Sequence, residues 1–184
     1  MTAYARVARR LRLPLGFVLA ALYLAFARPT PLTFVVGGVI AFIGLLVRAW
    51  ASGHIIKNNR LATTGPYAHT RNPLYFGSFL IAAGFAIAAH WTLLLVVIAF
   101  WVLVYGPTME REREKVSGIF PEEYAQYAAN VPAFVPRPTP WRPAVRQESE
   151  DFSFALYLRH KEWKAALGYA AAMIWLWLRM TGVF

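Results

Sequence analysis

The residues of this chain best suited to chemistry lie in one short polar segment between two apolar stretches. The segment runs from Gly65 to Gly77 and reads Gly-Pro-Tyr-Ala-His-Thr-Arg-Asn-Pro-Leu-Tyr-Phe-Gly. Glycine and proline fix the shape of a backbone, and the arginine guanidinium binds carboxylates and phosphates through paired donors. A connection that had only to be soluble would not need this composition. The segment is therefore interpreted as part of a binding site.

Asn72 and Pro73 predict the start of a helix inside this segment. Asparagine is favoured as an N-cap, and proline fits the first helical position because its missing N–H would be unpaired there. The free N–H groups and positive dipole end of such a helix bind anions. Arg71 lies beside that end and either binds an anionic group or reaches lipid headgroups, and the sequence leaves both open.

A second candidate residue is Glu112, which is singled out by helical periodicity. If the chain from 105 to 120 is a helix, the apolar positions 105, 109, 116 and 119 share one stripe with Glu112. Glu110 and Glu114 lie on the opposite face, where a charge is solvated. A carboxylate on an apolar stripe is expected to be buried and either paired or bound to a polar ligand. Glu112 is therefore a candidate binding residue.

The elements that must position these residues are apolar helices. The chain is 58% hydrophobic and has a mean hydropathy of +0.42, which favours an integral membrane protein. A membrane-spanning helix needs about 20 apolar residues at ~1.5 Å per residue. The fold class predicted is all-α and polytopic, with about five spans, placed near residues 14–27, 32–51, 74–89 and 91–107 and, at the C-terminus, 165–178 with an amphipathic extension back to 154.

Charge placement predicts the orientation of these spans. With the N-terminus in the cytoplasm, the outward segments carry only Arg28 and Arg179, and the other 17 of the 19 Lys and Arg residues lie on the cytoplasmic side. The net charge of +10 is then explained by orientation and anionic lipid, not by nucleic acid. A cleaved signal peptide is the alternative for the first apolar segment, but no small-residue cleavage site follows it.

The chain is interpreted as a membrane core, residues 1–143, followed by a C-terminal appendage, residues 144–184. Prolines at 132, 136, 138, 140 and 143 exclude a helix and predict an extended strap along the membrane surface, between 132 and 151. The absence of cysteine excludes disulfides, thiolate metal sites and a cysteine nucleophile, and no metal site is predicted. The oligomeric state stays open.

Two motifs in register resemble the isoprenylcysteine carboxyl methyltransferase family. These are integral-membrane enzymes that use S-adenosylmethionine and are related to phospholipid methyltransferases. The first motif is similar to Gly-Pro-Tyr, a spacer, and Arg-His-Pro-x-Tyr-x-Gly. The second is similar to Glu-Glu, an apolar residue, Phe-Gly and two tyrosines. The matching positions are Gly65, Pro66, Tyr67, Arg71, Asn72, Pro73, Tyr75 and Gly77, followed by Glu112, Val116, Phe120, Tyr124 and Tyr127.

The resemblance implies a cofactor pocket at the cytoplasmic membrane face, between the loop before the third span and the helix after the fourth. Glu112 would hydrogen-bond the polar end of the cofactor, and the other cofactor-binding residues would be Gly65, Pro66, Tyr67, Asn72, Pro73 and Tyr75. Arg71 would orient an anionic acceptor or support the pocket. His69 is the nearby residue that could take a proton from an amine or hydroxyl acceptor, although a surface-loop histidine often has no role.

The chain departs from the family pattern at three positions. Asn72 replaces the usual His, Arg113 replaces the second acid, and Pro121 replaces the Gly after Phe120. A hydrogen-bonding role is still available at Asn72, but an ionisable one is not.

The methyl acceptor implied is an amphiphile, such as a prenylated cysteine, a phospholipid amine or another hydrophobic acid, with carboxyl methylation placed first. Two other classes of function stay open. The pattern Arg-x-Pro-x-Tyr also resembles part of the membrane sterol reductases, which use NADPH. A non-catalytic membrane scaffold would instead pair Glu112 with Arg71 as a structural bridge. Cofactor binding separates the three classes.

Overall fold

The computed structural model describes residues 3–55, 60–142 and 151–183, and in these ranges every regular element is helical. This confirms the all-α prediction for the described residues. The helices in chain order are α1 (Ala3–Phe26), α2 (Pro31–Ser52), a 3₁₀ turn (Gly65–Ala68), α3 (Pro73–Ala89), α4 (Leu93–Phe100), a π-helical turn (Trp101–Tyr105), α5 (Gly106–Ile119), α6 (Pro121–Asn130), α7 (Phe154–Arg159) and α8 (Trp163–Met180).

Two of these helices are long and apolar enough to cross a membrane. They are Pro31–Ser52 and the continuous helix Leu93–Ile119, and two shorter apolar helices cover Pro14–Phe26 and Pro73–Ala89. Large apolar side chains lie exposed along α2 and α4, including Leu46 at 53% and Leu95 at 63%. A protein in water rarely exposes such continuous apolar faces, so these faces fit a lipid environment.

Helices α2 and α3 form the tightest pair of the fold because glycines line their contact. A Cβ added to Gly84 would lie 2.5 Å from the carbonyl oxygen of Gly37, and one added to Gly44 would lie 2.5 Å from that of Gly77. Small residues let two backbones approach this closely without a side chain between them. This contact fixes the start of α3 against the end of α2.

Helices α3 and α4, which correspond to the third and fourth predicted spans, form a hairpin. Helix α3 ends at Ala89, and the chain turns through His90 and Trp91, whose rings stack with centroids 6.2 Å apart. The returning helix then runs from Leu93 to Ile119 with one π-helical turn at Trp101–Tyr105. Such single π turns often occur at functional sites, and this one precedes the segment that carries Glu112.

Over the part of the predicted strap that the structure describes, 132–142, the chain contains no helix. This part of the strap pairs with the loop before α3 through backbone hydrogen bonds. The amide of Arg71 donates to the Pro132 carbonyl at 2.9 Å, and the amide of Arg137 donates to the His69 carbonyl at 2.9 Å. The rest of the predicted strap and the proposed boundary at 143/144 lie outside the described residues.

The C-terminal segment differs from the predicted single extended helix. Helices α7 and α8 are separated by a turn in which Lys161 adopts a left-handed φ of 57°. That conformation ends a right-handed helix. Helix α8 then packs along α2, where the Tyr169 hydroxyl donates to the Gly38 carbonyl at 3.2 Å.

Candidate functional site

A cavity of about 920 Å³ lies where α1, the loop before α3, the start of α3, α5 and α6 meet. Pockets for cofactors and other small ligands usually hold about 300–1,000 Å³ and combine apolar walls with a few polar groups. The apolar wall here includes Phe17, Ala20 and Phe100, and the polar wall includes Tyr67, Glu112 and four arginines that are named below. The cavity is therefore large enough for a cofactor and part of a second ligand.

Both sequence motifs meet at this cavity. Of the nine residues predicted for the site, six line it, namely Tyr67, Arg71, Asn72, Pro73, Tyr75 and Glu112. The structure places Gly65, Pro66 and His69 behind this lining, in the loop that carries Tyr67.

The loop before α3 has its shape because of Gly65. Its φ of +57° is one that side chains disfavour, and an added Cβ would lie 2.6 Å from the ring of His54. Pro66 follows at the start of the 3₁₀ turn. The Tyr127 hydroxyl donates a 2.7 Å hydrogen bond to the Tyr67 carbonyl, so α6 holds the turn that presents the Tyr67 side chain.

Asn72 is the N-cap residue of α3, as predicted, but its side chain makes no capping hydrogen bond. Its Nδ2 instead donates to the carbonyl of Ala133 in the strap at 2.8 Å. The prediction that the Asn72 side chain caps α3 was therefore wrong. In an isolated helix this side chain would accept from a helix N–H group, but here the strap offers it a carbonyl to which it donates. The first turn of α3 reaches the cavity without a cap from Asn72.

Glu112 lies on the cavity side of α5, where its Oε1 accepts a 2.8 Å hydrogen bond from the Tyr75 hydroxyl. This bond joins α5 to the first turn of α3. The expectation of burial was wrong, since Glu112 is exposed. The stripe it belongs to faces an open cavity rather than a packed core.

Glu110 is also exposed, and its Oε2 accepts a 2.8 Å hydrogen bond from Arg113 Nε. The Glu110 carboxylate is thus paired with a residue of its own helix, as expected on a solvent-exposed face.

Arg71 binds an aromatic ring and a hydroxyl, not a carboxylate. Its Nη1 donates to the Tyr124 hydroxyl at 3.1 Å, and its guanidinium carbon lies 5.8 Å from the centre of that ring. The bridge to Glu112 that a scaffold would use is absent from the described residues. Arg71 therefore keeps donor capacity for a ligand.

Two buried polar atoms of the lining have no partner within the described part of the chain. They are the hydroxyl oxygen of Tyr67, whose side chain is 6% exposed, and Nε of Arg71. Burial raises the pKa of Tyr67 well above its usual value, with the charge of Glu112 adding to the effect, so this hydroxyl is a neutral donor at physiological pH. Buried polar groups are normally hydrogen-bonded, so an unpaired one that lines a cavity is satisfied there by water or by a ligand atom.

His69 is turned towards the strap. Its Nδ1 makes a 2.8 Å hydrogen bond with the Arg137 carbonyl, for which Nδ1 must carry the proton, and its ring lies near Trp50. His69 is thus placed to hold the strap against the loop.

Sequence reasoning missed two charged residues of the cavity wall, Arg48 and Glu162. They form an ion pair with Arg48 Nη2 2.6 Å from Glu162 Oε1. A signal was present for the first, because Arg48 is the single charge in the apolar run 32–51, and an ionisable residue inside an apolar helix marks a functional site by default. Glu162 had no such signal, since it follows a charged stretch far along the chain.

Positive charge prevails at this wall. The lining carries five cationic side chains and two acidic ones, namely Arg48, Arg60, Arg71, Arg113 and Lys115 against Glu112 and Glu162. Such an excess raises the local concentration of anions. An anionic group on a ligand is thus favoured here.

The family model for phospholipid methyltransferase matches residues 30–123, just over half of the chain. The matched range contains the whole first motif and Glu112. The chain belongs to the phospholipid methyltransferase family. This family is part of the isoprenylcysteine carboxyl methyltransferase-like superfamily of membrane methyltransferases, so the resemblance seen in the sequence is confirmed.

Two curated relatives carry names that refer to metal resistance. The chain is 32% identical over 134 residues to the cobalt-zinc-cadmium resistance protein CzcN of Cupriavidus metallidurans, covering 68% of this chain and 62% of that protein. It is 35% identical over 104 residues to the nickel-cobalt-cadmium resistance protein NccN of Alcaligenes xylosoxydans xylosoxydans, covering 55% of this chain and 47% of that protein. The chain thus spans about half to three fifths of these relatives. No solved structure matches the chain.

Proposed function

We propose that the protein transfers a methyl group from S-adenosylmethionine to an amphiphilic acceptor at the cytoplasmic membrane face. The observation that carries the proposal is the pair of unpartnered buried atoms, Tyr67 Oη and Arg71 Nε, on residues that line the cavity. Membership in a membrane methyltransferase family supports the same cofactor. A ligand rich in carboxylate, amine and hydroxyl groups fits this wall.

The cofactor is assigned to the polar wall of the cavity. Its methionine carboxylate suits the start of α3 at Pro73 and Tyr75, where helix N–H groups and the dipole favour an anion. Its ammonium or ribose hydroxyls suit the free oxygen of Glu112. Bound there, S-adenosylmethionine supplies an electrophilic methyl group. Gly65 and Pro66 act through the loop shape that presents Tyr67, and Asn72 through its bond to the strap.

The contribution of the protein to the reaction is binding, alignment and a dry site. Arg71 orients the acceptor through the donors that its contact with Tyr124 leaves available. The apolar wall, which includes Phe17 and Phe100, holds the hydrophobic part of the acceptor and excludes water. Methyl transfer from a reactive donor such as S-adenosylmethionine needs these effects more than it needs acid or base catalysis.

Carboxyl methylation is the first choice of reaction. A carboxylate acceptor is already ionised, so no base is required, and His69 is held against the strap rather than at the cavity. The positive wall also favours an anionic acceptor. A phospholipid amine is the second choice, favoured by the description of the family. A prenylated cysteine and other hydrophobic acids belong to the first class.

The orientation proposed is that of a five-span protein with its N-terminus and cavity in the cytoplasm. Two candidate spans, two shorter apolar helices and the predicted placement of Lys and Arg support this arrangement. In this arrangement α8 is the fifth span, and residues 1–143 form the catalytic core to which the C-terminal segment is added.

The test is calorimetric titration of the detergent-purified protein with S-adenosylmethionine, S-adenosylhomocysteine and NADPH. We expect saturable binding of the first two and none of NADPH. Binding of NADPH alone would move the assignment to a reductase, and binding of none of them to a folded sample would favour a scaffold. Transfer of a labelled methyl group into lipid extracts then separates base-labile carboxyl esters from stable N-methyl products.

A further inference from the structure

We infer that Glu162, in the C-terminal segment, is a positioning residue of the cofactor cavity and acts through Arg48. The inference rests on the proposed function and adds to it a residue outside the range that the family model matches. It also gives a role to a segment for which the sequence motifs provide none. The chain of contacts runs from the turn before α8, through α2, to the first turn of α3.

The first link is the ion pair itself. Arg48 Nε donates to Glu162 Oε2 at 3.0 Å, and Nη2 donates to Oε1 at 2.6 Å. The side chains are only 24% and 12% exposed. Two parallel, partly buried hydrogen bonds define the plane of the guanidinium far better than one exposed contact does.

The second link joins Arg48 to the helix that begins the cavity wall. With its plane fixed by Glu162, Arg48 directs Nη1 to the Leu74 carbonyl at 3.3 Å and to the Ser78 hydroxyl. Ser78 Oγ in turn donates to the same carbonyl at 2.8 Å. The first turn of α3 is thus tied to α2, and Leu74 and Ser78 both line the cavity.

The close approach of Arg48 also explains a glycine of the first motif. A Cβ on Gly77 would lie 2.7 Å from Arg48 Cγ and 2.7 Å from the Gly44 carbonyl oxygen. Because Gly77 has no side chain, the space through which the Arg48 side chain reaches α3 stays open.

The third link holds Glu162 in place. The Ser153 amide donates to the Gly53 carbonyl at 3.0 Å, and the His160 ring bonds the Ser52 carbonyl at 3.0 Å. The ring of Phe152 also packs near His54, with centroids 6.2 Å apart. The C-terminal segment is therefore docked on the end of α2, and Glu162 meets Arg48 from a fixed direction.

The pairing also distributes charge in the cavity. Arg48 is neutralised by Glu162, whereas the Arg71 guanidinium contacts the Tyr124 hydroxyl and ring and pairs with no carboxylate among the described residues. An anionic ligand group is therefore directed to Arg71 and to the start of α3 instead of to Arg48.

The test compares Glu162→Gln, Glu162→Asp and the control Asp151→Asn, an exposed acid of the same segment. Affinity for S-adenosylhomocysteine is measured by calorimetry, and amide hydrogen exchange is measured over residues 73–80. We expect Glu162→Gln to weaken binding about tenfold, comparable to the loss of one hydrogen bond to a charged group, and to speed exchange in this turn. Glu162→Asp should recover part of both, and Asp151→Asn should match the wild type.

Arg48→Gln and the double variant Arg48→Gln/Glu162→Gln complete a double-mutant cycle and cover the case in which Glu162→Gln folds poorly. If Glu162 acts through Arg48, the double variant is no weaker in binding than Arg48→Gln alone. Additive losses, or unchanged exchange in residues 73–80, overturn the inference while the proposed function stands. If the wild type binds no S-adenosylhomocysteine, the proposed function fails, and the exchange data alone decide whether Glu162 holds α3.

Discussion

The Tyr75 hydroxyl donates a 2.8 Å hydrogen bond to Oε1 of Glu112 and so connects the two motifs across the cavity. Tyr75 belongs to the first turn of α3, and Glu112 to the middle of α5. The carboxylate keeps its second oxygen and its exposure to the cavity. One bond thus fixes the relative position of two walls and leaves an acceptor group for a ligand.

Glu112→Ala is expected to weaken S-adenosylhomocysteine binding at least tenfold, because a charged hydrogen-bond partner of a ligand is worth about 1.5–3 kcal/mol. Glu110→Ala, two residues away on the exposed face, should change it less than twofold, since Glu110 bonds only Arg113 among the described residues. Calorimetry on both variants makes the comparison. Equal losses would refute the assignment of Glu112 to the site.

Tyr67→Phe should raise or preserve the stability of the ligand-free protein and weaken cofactor binding. The hydroxyl is buried without a partner, and such a group costs about 1–3 kcal/mol, a cost that phenylalanine removes. Thermal unfolding in detergent with and without S-adenosylhomocysteine gives both quantities. The matched control is Tyr127→Phe, which loses a 2.7 Å hydrogen bond to the Tyr67 carbonyl and should lower stability by about 1 kcal/mol. A variant Tyr67→Phe that binds as tightly as the wild type would remove this hydroxyl from the site.

Alkaline pH should destabilise the protein through the same tyrosines. Burial raises the pKa of Tyr67 and of Tyr127 above the ordinary value of 10.0. In the unfolded chain these groups lose their protons near pH 10, while in the folded protein they keep them, so the free energy of unfolding is unaffected below about pH 10 and falls as pH rises above it. Melting curves from pH 8 to 11 test this, and Tyr67→Phe should show a shallower decline. An equal decline in both proteins would contradict it.

Gly84→Ala should separate α2 from α3 and lower stability by about 1–3 kcal/mol, the usual cost of overpacking. The added Cβ would lie 2.5 Å from the Gly37 carbonyl oxygen, which is backbone and cannot move aside. Gly168→Ala in α8 is the control, because nothing lies within 4 Å of its added Cβ and helical alanine is favoured over glycine. Thermal unfolding should therefore show a lower melting temperature for Gly84→Ala and no decrease for Gly168→Ala. Equal melting temperatures would mean that the two helices have room between them.

The sequence alone was sufficient to predict most of the helices and to identify the side of α5 on which Glu112 lies. Apolar length predicted the helices, and the 3.6-residue period placed Glu112 at the cavity because both signals are local. The Asn72 side chain could not be placed in this way, since its acceptor Ala133 is 61 residues away. The burial expected for Glu112 was wrong for a similar reason, because periodicity identifies the inward face of a helix but not whether that face meets a core or a cavity. The pairing of Arg48 with Glu162, 114 residues apart, had no local signal.

The pairing of the strap with the loop before α3 sets an order of assembly during synthesis. The Ala68 carbonyl accepts from the Trp141 amide at 2.9 Å, and the Arg71 amide needs the Pro132 carbonyl. The loop emerges from the ribosome before these partners do, since Pro132 follows Arg71 by 61 residues and Trp141 follows Ala68 by 73. A chain interrupted before residue 132 lacks every backbone group of the strap with which this loop pairs. The cavity wall that this loop forms is thus completed late in translation, after the strap has been made.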